Sequence, residues 1–269
     1  MPKASPQPSN VLSTNKQFLE TALRAANAAD EVSQAGFNSR MFTVSRKADN
    51  SEVTEIDRNT ETAISSVLRE AHPEFGIYGE EHGTSGPTDA EYTWVIDPID
   101  GTTNFVRGVP VWGSLIALVH NETPVLGVVS APALGMRWWA SVGDGAYFNG
   151  TRIYVSSVSE LSEAHVSTTP NKGWEKVAGL PALQQLQVDA LRSRGFGDFW
   201  QHMLVAQGAI DVAIDAIGLA PYDNAAIYPI VQEAGGTITD RFGKSDWRAN
   251  SMVSSNGFLH STVIDRLPS

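Results

Sequence analysis

The stretch Trp94-Val-Ile-Asp-Pro-Ile-Asp-Gly-Thr-Thr-Asn-Phe105 constrains this chain more than any other. Trp94 to Ile96 is an apolar, β-branched run that reads as a buried strand delivering Asp97 at its end. Pro98 has no N–H to give to a ladder, so the strand is expected to stop there. Asp100 follows three residues after Asp97 across a tight turn, which lets both carboxylates reach one point. Gly101, Thr102 and Thr103 are small residues whose backbone N–H groups can approach an anion, most naturally at a helix start. Two acids beside an anion nest defeat it unless a cation sits between them. The stretch therefore asks for a divalent metal and a phosphate ester together.

The rest of the composition narrows the partners. A net charge of −11 with no basic stripe argues against nucleic acid. There is no cysteine, which excludes disulfides, thiolate zinc sites and a cysteine nucleophile and agrees with a cytoplasmic location. Met1 to Asn15 is polar and rich in Pro and Ser, without the apolar core of a secretory signal, so residues 1–15 are expected to form a disordered tail. The longest apolar runs, such as Val111 to Val119, fall short of the ~20 residues a membrane span needs. A soluble protein with no membrane partner is expected.

Taken in order, Gln17 to Val32 places Phe18, Leu19, Ala22, Leu23 and Ala26 at helical spacing. The polar segment Lys47 to Asp57 leads into a second helix whose buried face is Ile64, Val67, Leu68 and Ala71. Asp57 and Glu61 lie near its start, where capping of the helix dipole explains them as well as a metal role does. Phe75 to Tyr78 is a short strand ending in Gly79-Glu80-Glu81-His82-Gly83. After the central motif, Val111–His120, Pro124–Ser130, Met136–Ser141, Ala146–Phe148 and Arg152–Val155 read as an antiparallel meander, with Asn149-Gly150 as a hairpin turn. Near residue 156 the pattern changes to alternating helices and strands. Asp198 is the expected N-cap of a helix over Phe199–Gln207, and Tyr222–Ala234 is read as one helix closed by Gly235-Gly236. The division is thus an N-terminal α+β half, 16–155, and a C-terminal α/β half, 156–269, sharing one site. The six histidines show no ligand spacing and read as surface or structural residues.

Gly79-Glu80-Glu81, the central motif, Tyr222-Asp-Asn-Ala-Ala226 and Glu233-Ala-Gly-Gly236 together resemble the inositol monophosphatase family of magnesium-dependent phosphatases. Lys47-x-Asp49-x-Ser51-x-Val53-Thr54-x-x-Asp57 is similar to that family's upstream motif. The resemblance runs from about residue 17 to the C-terminus, and it implies a layered α-β-α-β-α sandwich of the inositol monophosphatase/fructose-1,6-bisphosphatase type. It also implies two or three Mg²⁺ per site, a small phosphorylated metabolite as substrate, and a homodimer. Glu80, Asp97 and the Ile99 carbonyl would hold one metal; Asp97, Asp100 and Asp223 would hold a second, with Asp97 bridging. Glu80 and Thr102 would orient the attacking water, with Asp57 supporting them. The amides of Gly101, Thr102 and Thr103 would hold phosphate oxygens. Asp223 is assigned through the resemblance alone, and an N-cap on a helix beginning near Ala225 explains it equally.

Two departures bear on the substrate. Pro221-Tyr222-Asp223 stands where the family usually has Trp-Asp, and Ala216, beside Asp215, stands where a carboxylate commonly contacts substrate. Pro-Tyr-Asp, Gly113-Ser114-Leu-Ile-Ala-Leu118 after Pro110-Val-Trp112, and Arg194-Gly-Phe-Gly-Asp198-Phe-Trp200 resemble the histidinol-phosphate phosphatase branch. The resemblance thus implies a substrate pocket of Asp100, Arg194, Asp198, Phe199 and Asp223. Histidinol phosphate carries an amine and an imidazole, so an acid such as Asp198 could pair with a cation, and Trp200 or Phe199 could pack against it. Helix capping by Asp198 and core packing by the two aromatics are the competing explanations. Hydrolysis of histidinol phosphate in histidine synthesis is the leading expectation. The alternatives are inositol 1-phosphate, fructose 1,6-bisphosphate or a similar small phosphate, and a non-catalytic phospho-ligand sensor.

Overall fold

Three sheets organise the computed structural model, which describes the backbone of residues 8–47, 51–87 and 89–268, with side chains from 16 onward. Helix α1 (Pro8–Ser39) opens the described chain and crosses the first large sheet. Residues 8–15, expected in the tail, are its first two turns. Pro8 sits in the first turn, where its fixed φ suits the helix and its missing N–H has no partner to lose. Asp49 and residues 1–7 lie outside the described residues.

A two-stranded ribbon, β1 (Val44–Arg46) and β2 (Glu52–Thr54), leads into α2 (Glu55–Ala71). Thr54 caps that helix in a capping box. Its hydroxyl accepts from Ile56 and Asp57 amides, while the Asp57 carboxylate accepts from the Thr54 amide.

The larger sheet collects β3 (Gly76–Gly79), β4 (Gly83–Ser85), β5 (Tyr92–Asp100), β6 (Gly113–His120), β7 (Thr123–Ala131), β8 (Met136–Ser141), β9 (Gly145–Phe148) and β10 (Thr151–Arg152). Their spatial order is β10-β9-β8-β7-β6-β5-β3-β4, antiparallel throughout except for the parallel pair β3 and β5. The meander expected from β6 onward is present. Asn149 (φ 46°) and Gly150 (φ 85°) both adopt left-handed backbone at its last turn, as a two-residue type I′ hairpin requires.

Strand β6 is almost wholly apolar because both of its faces are covered. Ile116 and Leu118 face a core with Phe18, Ala22, Ile64 and Leu68 of α1 and α2. Leu115, Ala117 and Val119 face the other way, into a core shared with α6 (Asp198–Ala206) and α8 (Ile227–Glu233).

The second sheet contains β11 (His165–Thr168), β12 (Arg192–Arg194), β13 (Val212–Ile214), β14 (Thr237–Thr239) and β15 (Val253–Ser255), in the order β12-β11-β13-β15-β14. Its outer face packs on α4 (Lys172–Lys176), α5 (Leu180–Asp189) and α9 (His260–Ile264) through Val166, Trp174, Leu183, Leu186, Val212 and Val263. The layers are therefore α-β-α-β-α, the sandwich expected. Helices α6 and α8 come from the C-terminal half yet fill the inner face of the N-terminal sheet, so the two halves share a core.

Two local expectations change. Strand β5 does not stop at Pro98. It runs to Asp100 through a bulge, because Asp97 pairs with Leu115 while Asp100 pairs with Gly113. Three steps on β5 oppose two on β6, and the missing N–H of Pro98 falls inside that irregularity. The helix expected over Tyr222–Ala234 is two, α7 (Pro221–Asn224) and α8. Pro229 cannot donate to the carbonyl four residues back, and that interrupts the ladder between them.

Candidate active site

Parallel pairing of β3 with β5 places Gly79 opposite Ile96, and the Glu80 amide donates to the Ile96 carbonyl at 3.1 Å. Glu80 and Asp97 thus leave neighbouring strands side by side. Residues 97 and 100 would point to opposite faces of a regular strand. The extra bulge residue resets the alternation and returns both carboxylates to one side.

Asp223, the third residue of α7, is fixed by a bond from the Ala220 amide to its Oδ2 at 2.7 Å. It is therefore not the N-cap of a helix beginning near Ala225: it lies inside α7 and bonds back to that helix's own N-cap residue, Ala220, while α8 begins at Ile227 behind Ala226. Carboxylate oxygens of Asp97, Asp100 and Asp223 lie within 4.8 Å of one another.

The electrostatics of this cluster are unfavourable without a cation. Burial first, then the charges of Glu80, Asp100 and Asp223, push Asp97 well above the usual carboxylate range. Asp100 is raised by burial and by Asp198 and Asp223. Asp223 is pushed up to about 7, mainly by burial. Hard oxygen donors at this spacing, buried and in mutual repulsion, fit a Mg²⁺-type ion. Lys47 is the cation bonded to this edge of the site. Its ammonium contacts Glu80 Oε1 at 2.7 Å and Glu81 Oε1 at 2.6 Å, which raises its pKa despite burial. Its place in the upstream motif was the only signal of this in the sequence.

Thr102 opens the six-residue helix α3 (Thr102–Arg107), preceded by Gly101 in left-handed backbone at φ 84°. The Phe105 amide bonds Gly101, so the amides of Thr102, Thr103 and Asn104 start the helix without intrahelical partners. A Cβ on Gly101 would lie 3.0 Å from the Val111 carbonyl, which is why glycine stands there. The Thr102 hydroxyl is 3.0 Å from Asp57 Oδ1 and 2.9 Å from the Ile99 carbonyl, and its one proton serves one of them at a time. Asp57, fully buried, therefore both caps α2 and reaches the site.

Glu61 is not a cap. Lying one turn further along α2, it accepts from the Glu81 and His82 amides at 2.7 and 3.0 Å and so clamps the turn that carries Glu80. A Cβ on Gly79 would fall 2.0 Å from Glu61 Oε1.

The specificity candidates divide. Asp198 does not cap α6. At φ 49° it is left-handed, and its Oδ2 accepts from Asn104 Nδ2 at 3.0 Å. The helix is capped from elsewhere: the Phe199 amide donates to Asp100 Oδ2 at 2.7 Å, across 99 residues. Burial and then the Asp215 charge push Asp198 up to about 6. The Phe199 ring is buried in the core beside Trp138, so only its amide serves the site. Trp200 packs on the same core and on Phe196. Arg194 is not brought to the acids. It is exposed on the edge strand β12 and lines a separate cavity of about 210 Å³ with His165, Arg192 and Phe196.

Asp215 is buried, 3.0 Å from His202 Nε2, while His202 Nδ1 lies 2.7 Å from Ser254 Oγ. His82 bonds Thr62 and the Arg58 carbonyl rather than the acid cluster. None of the described helices is long and apolar enough to cross a membrane.

Comparison with known proteins converges on this geometry. The sequence profile described as the inositol monophosphatase family matches residues 14–268. A histidinol-phosphatase of Mycobacterium tuberculosis is 41% identical over 254 residues, covering 93% of this chain and 97% of that protein. A histidinol-phosphatase of Streptomyces coelicolor is 40% identical, covering 90% and 93% respectively. Among solved structures, the extragenic suppressor protein suhB of Bartonella henselae superposes with a TM-score of 0.87 at 28% identity, over 93% of this chain and 97% of that one. The inositol monophosphatase of Thermotoga maritima gives 0.83 at 31% identity, over 92% and 95%.

Proposed function

The chain belongs to the inositol monophosphatase family, and from that premise we propose that it is a Mg²⁺-dependent phosphomonoesterase hydrolysing L-histidinol phosphate to L-histidinol and phosphate. What carries the choice of substrate is the similarity to proteins named histidinol-phosphatase, at 38–41% identity over at least nine-tenths of the chain. Asp198 supports it from the site itself. Its carboxylate is partly open and, among the described residues, bonded only by Asn104, leaving one oxygen for a cationic group.

Glu80, Asp97, Asp100, Asp223 and the Ile99 carbonyl are the residues that would hold two or three Mg²⁺. Bound there, the metal supplies Lewis-acid polarisation of the phosphoryl oxygens and a nucleophilic water at neutral pH. The residues of the chain do the rest. Free amides of Thr102 and Thr103, with that of Gly101, receive phosphate oxygens at the start of α3. Asp57 orients the Thr102 hydroxyl, and Thr102 with Glu80 orients a water in line with the ester bond. One oxygen–phosphorus bond forms as the ester oxygen–phosphorus bond breaks; Glu80 takes the water's proton and solvent returns one to the leaving alkoxide. Asp198 pairs with the amine or imidazolium of the leaving group.

The same proposal places the enzyme in histidine synthesis, in the cytoplasm, as a homodimer. The deciding experiment is a substrate panel with excess Mg²⁺: histidinol phosphate, inositol 1-phosphate and fructose 1,6-bisphosphate. Preference for histidinol phosphate is expected. Preference for inositol 1-phosphate would move the assignment within the family, and turnover of no phosphate would favour a ligand sensor.

A further inference from the structure

The penultimate residue of the central motif is Asn104, to which phosphate chemistry gives no side-chain task. Its amide group has two N–H donors, and both are engaged. One goes to the Val111 carbonyl at 2.9 Å and the other to Asp198 Oδ2 at 3.0 Å. Neither bond reaches Glu80, Asp97, Asp100 or Asp223. Asn104 instead ties the phosphate-binding helix to a segment 94 residues downstream.

That segment needs holding. Arg194 and Gly195 before it are exposed, Gly197 is at φ 74° and Asp198 at φ 49°. A residue with a Cβ is disfavoured in left-handed backbone, and it persists there only while its surroundings over-determine it. Two bonds do so here. Asp100 accepts from the Phe199 amide, and the Asn104 side chain donates to the Asp198 carboxylate. The first comes from a residue of the acid cluster, whereas the second has no other use.

We propose that Asn104 is a positioning residue for substrate choice: it anchors one oxygen of Asp198 so that the other faces the cationic leaving group. This rests on the reading of Asp198 as a substrate contact. Without the anchor, Asp198 relaxes toward ordinary backbone and its free oxygen leaves the position the cation requires. The phosphate end of the substrate is untouched, so the loss falls on KM for a cationic substrate and not on kcat.

The test measures kcat and KM of the Mg²⁺-loaded enzyme with histidinol phosphate and with a neutral-alcohol ester, inositol 1-phosphate. The variants are Asn104→Ala, Asn104→Asp, Asp198→Asn and the double variant Asn104→Ala/Asp198→Asn. Asn104→Asp keeps the shape but removes both donors and sets a like charge against Asp198, so it reports on the anchor if Asn104→Ala fails to fold. The expected result for Asn104→Ala is a KM for histidinol phosphate raised about tenfold, with kcat and the inositol phosphate KM within about twofold. Asn104→Asp should raise that KM further, and the double variant should be no worse than Asp198→Asn. A rise in KM equal for both substrates, a fall in kcat alone, or full additivity in the double variant would overturn the role of Asn104. If Asp198→Asn itself treats both substrates alike, the reading of Asp198 fails and the anchor with it. If Asp198→Asn discriminates and neither Asn104 variant does, the anchor alone is wrong.

Discussion

Gly79 faces Ile96 across the parallel strands β3 and β5, and the residue after each, Glu80 and Asp97, is an acid of the candidate metal site. One register decision therefore sets two candidate ligands at once; Asp100 joins them through the bulge in the same strand, and Asp223 is added from α7.

Repulsion within the cluster sets the first expectation. Asp97→Asn and Asp223→Asn should each lower kcat/KM by at least about a thousandfold, a barrier increase of about 4 kcal/mol. Each removes one charge from a crowded group of acids in which Asp97 is buried and Asp100 and Asp223 are partly buried, so the metal-free variants should melt no lower than metal-free wild type. Thermal unfolding in chelator with a parallel assay in Mg²⁺ checks both halves; a markedly lower melting temperature would make these residues structural.

If the site holds Mg²⁺ as proposed, the ion would bind the folded acids and not the dispersed ones, so it should stabilise the native chain by mass action. At a hundredfold excess over Kd the gain is about 2.7 kcal/mol, or roughly 5–10 °C in Tm. Scanning calorimetry with and without chelator measures it. Activity that survives exhaustive chelation would contradict the mechanism.

Glu61 clamps the turn below Glu80, and Glu61→Ala leaves the Glu81 and His82 amides without their acceptor. Stability should fall by roughly 2–4 kcal/mol, with a loss of turnover although Glu61 touches no substrate. Gly79→Ala should do the same, because its Cβ would overlap the Glu61 carboxylate. Urea unfolding beside activity is the check, and wild-type behaviour of either variant would remove the clamp.

His260 carries a pH signature remote from the site. Burial pushes its pKa down to about 4, while its ring nitrogens lie against Thr239 Oγ1 and Ser255 Oγ. The unfolded chain binds a proton near pH 6.5 that the folded chain refuses, so this contribution is present above pH 6.5 and is lost as pH falls toward 4. His260→Gln should flatten the stability curve between those values relative to wild type. Parallel curves from denaturant titrations at each pH would show that His260 does not contribute.

Much of this architecture was legible because it depends on near neighbours. The apolar run Val111–His120 announced β6 as a strand of the meander, and Asn149-Gly150 announced the hairpin turn between β9 and β10. The grouping of Asp97 and Asp100 was legible too, although for a different reason: a turn was expected, and a bulge within β5 does the work. Asp223 was found through family resemblance, since nothing local to residue 223 points to residue 97.

The sequence by itself determined the local vocabulary: which segments are strands or helices, where glycine must stand, and that the Trp94–Phe105 stretch requires a cation beside an anion nest. Only the tertiary structure decided who partners whom. It gave Asp57 two tasks, turned Glu61 from a cap into a clamp, sent Arg194 to an outer edge, and gave the capping of α6 to Asp100 while Asn104 took Asp198. Periodicity and turn chemistry are governed by neighbours along the chain. A carboxylate, by contrast, bonds whichever donor the fold brings within about 3 Å, and for Asp100 and Asp198 that donor lies 99 and 94 residues away.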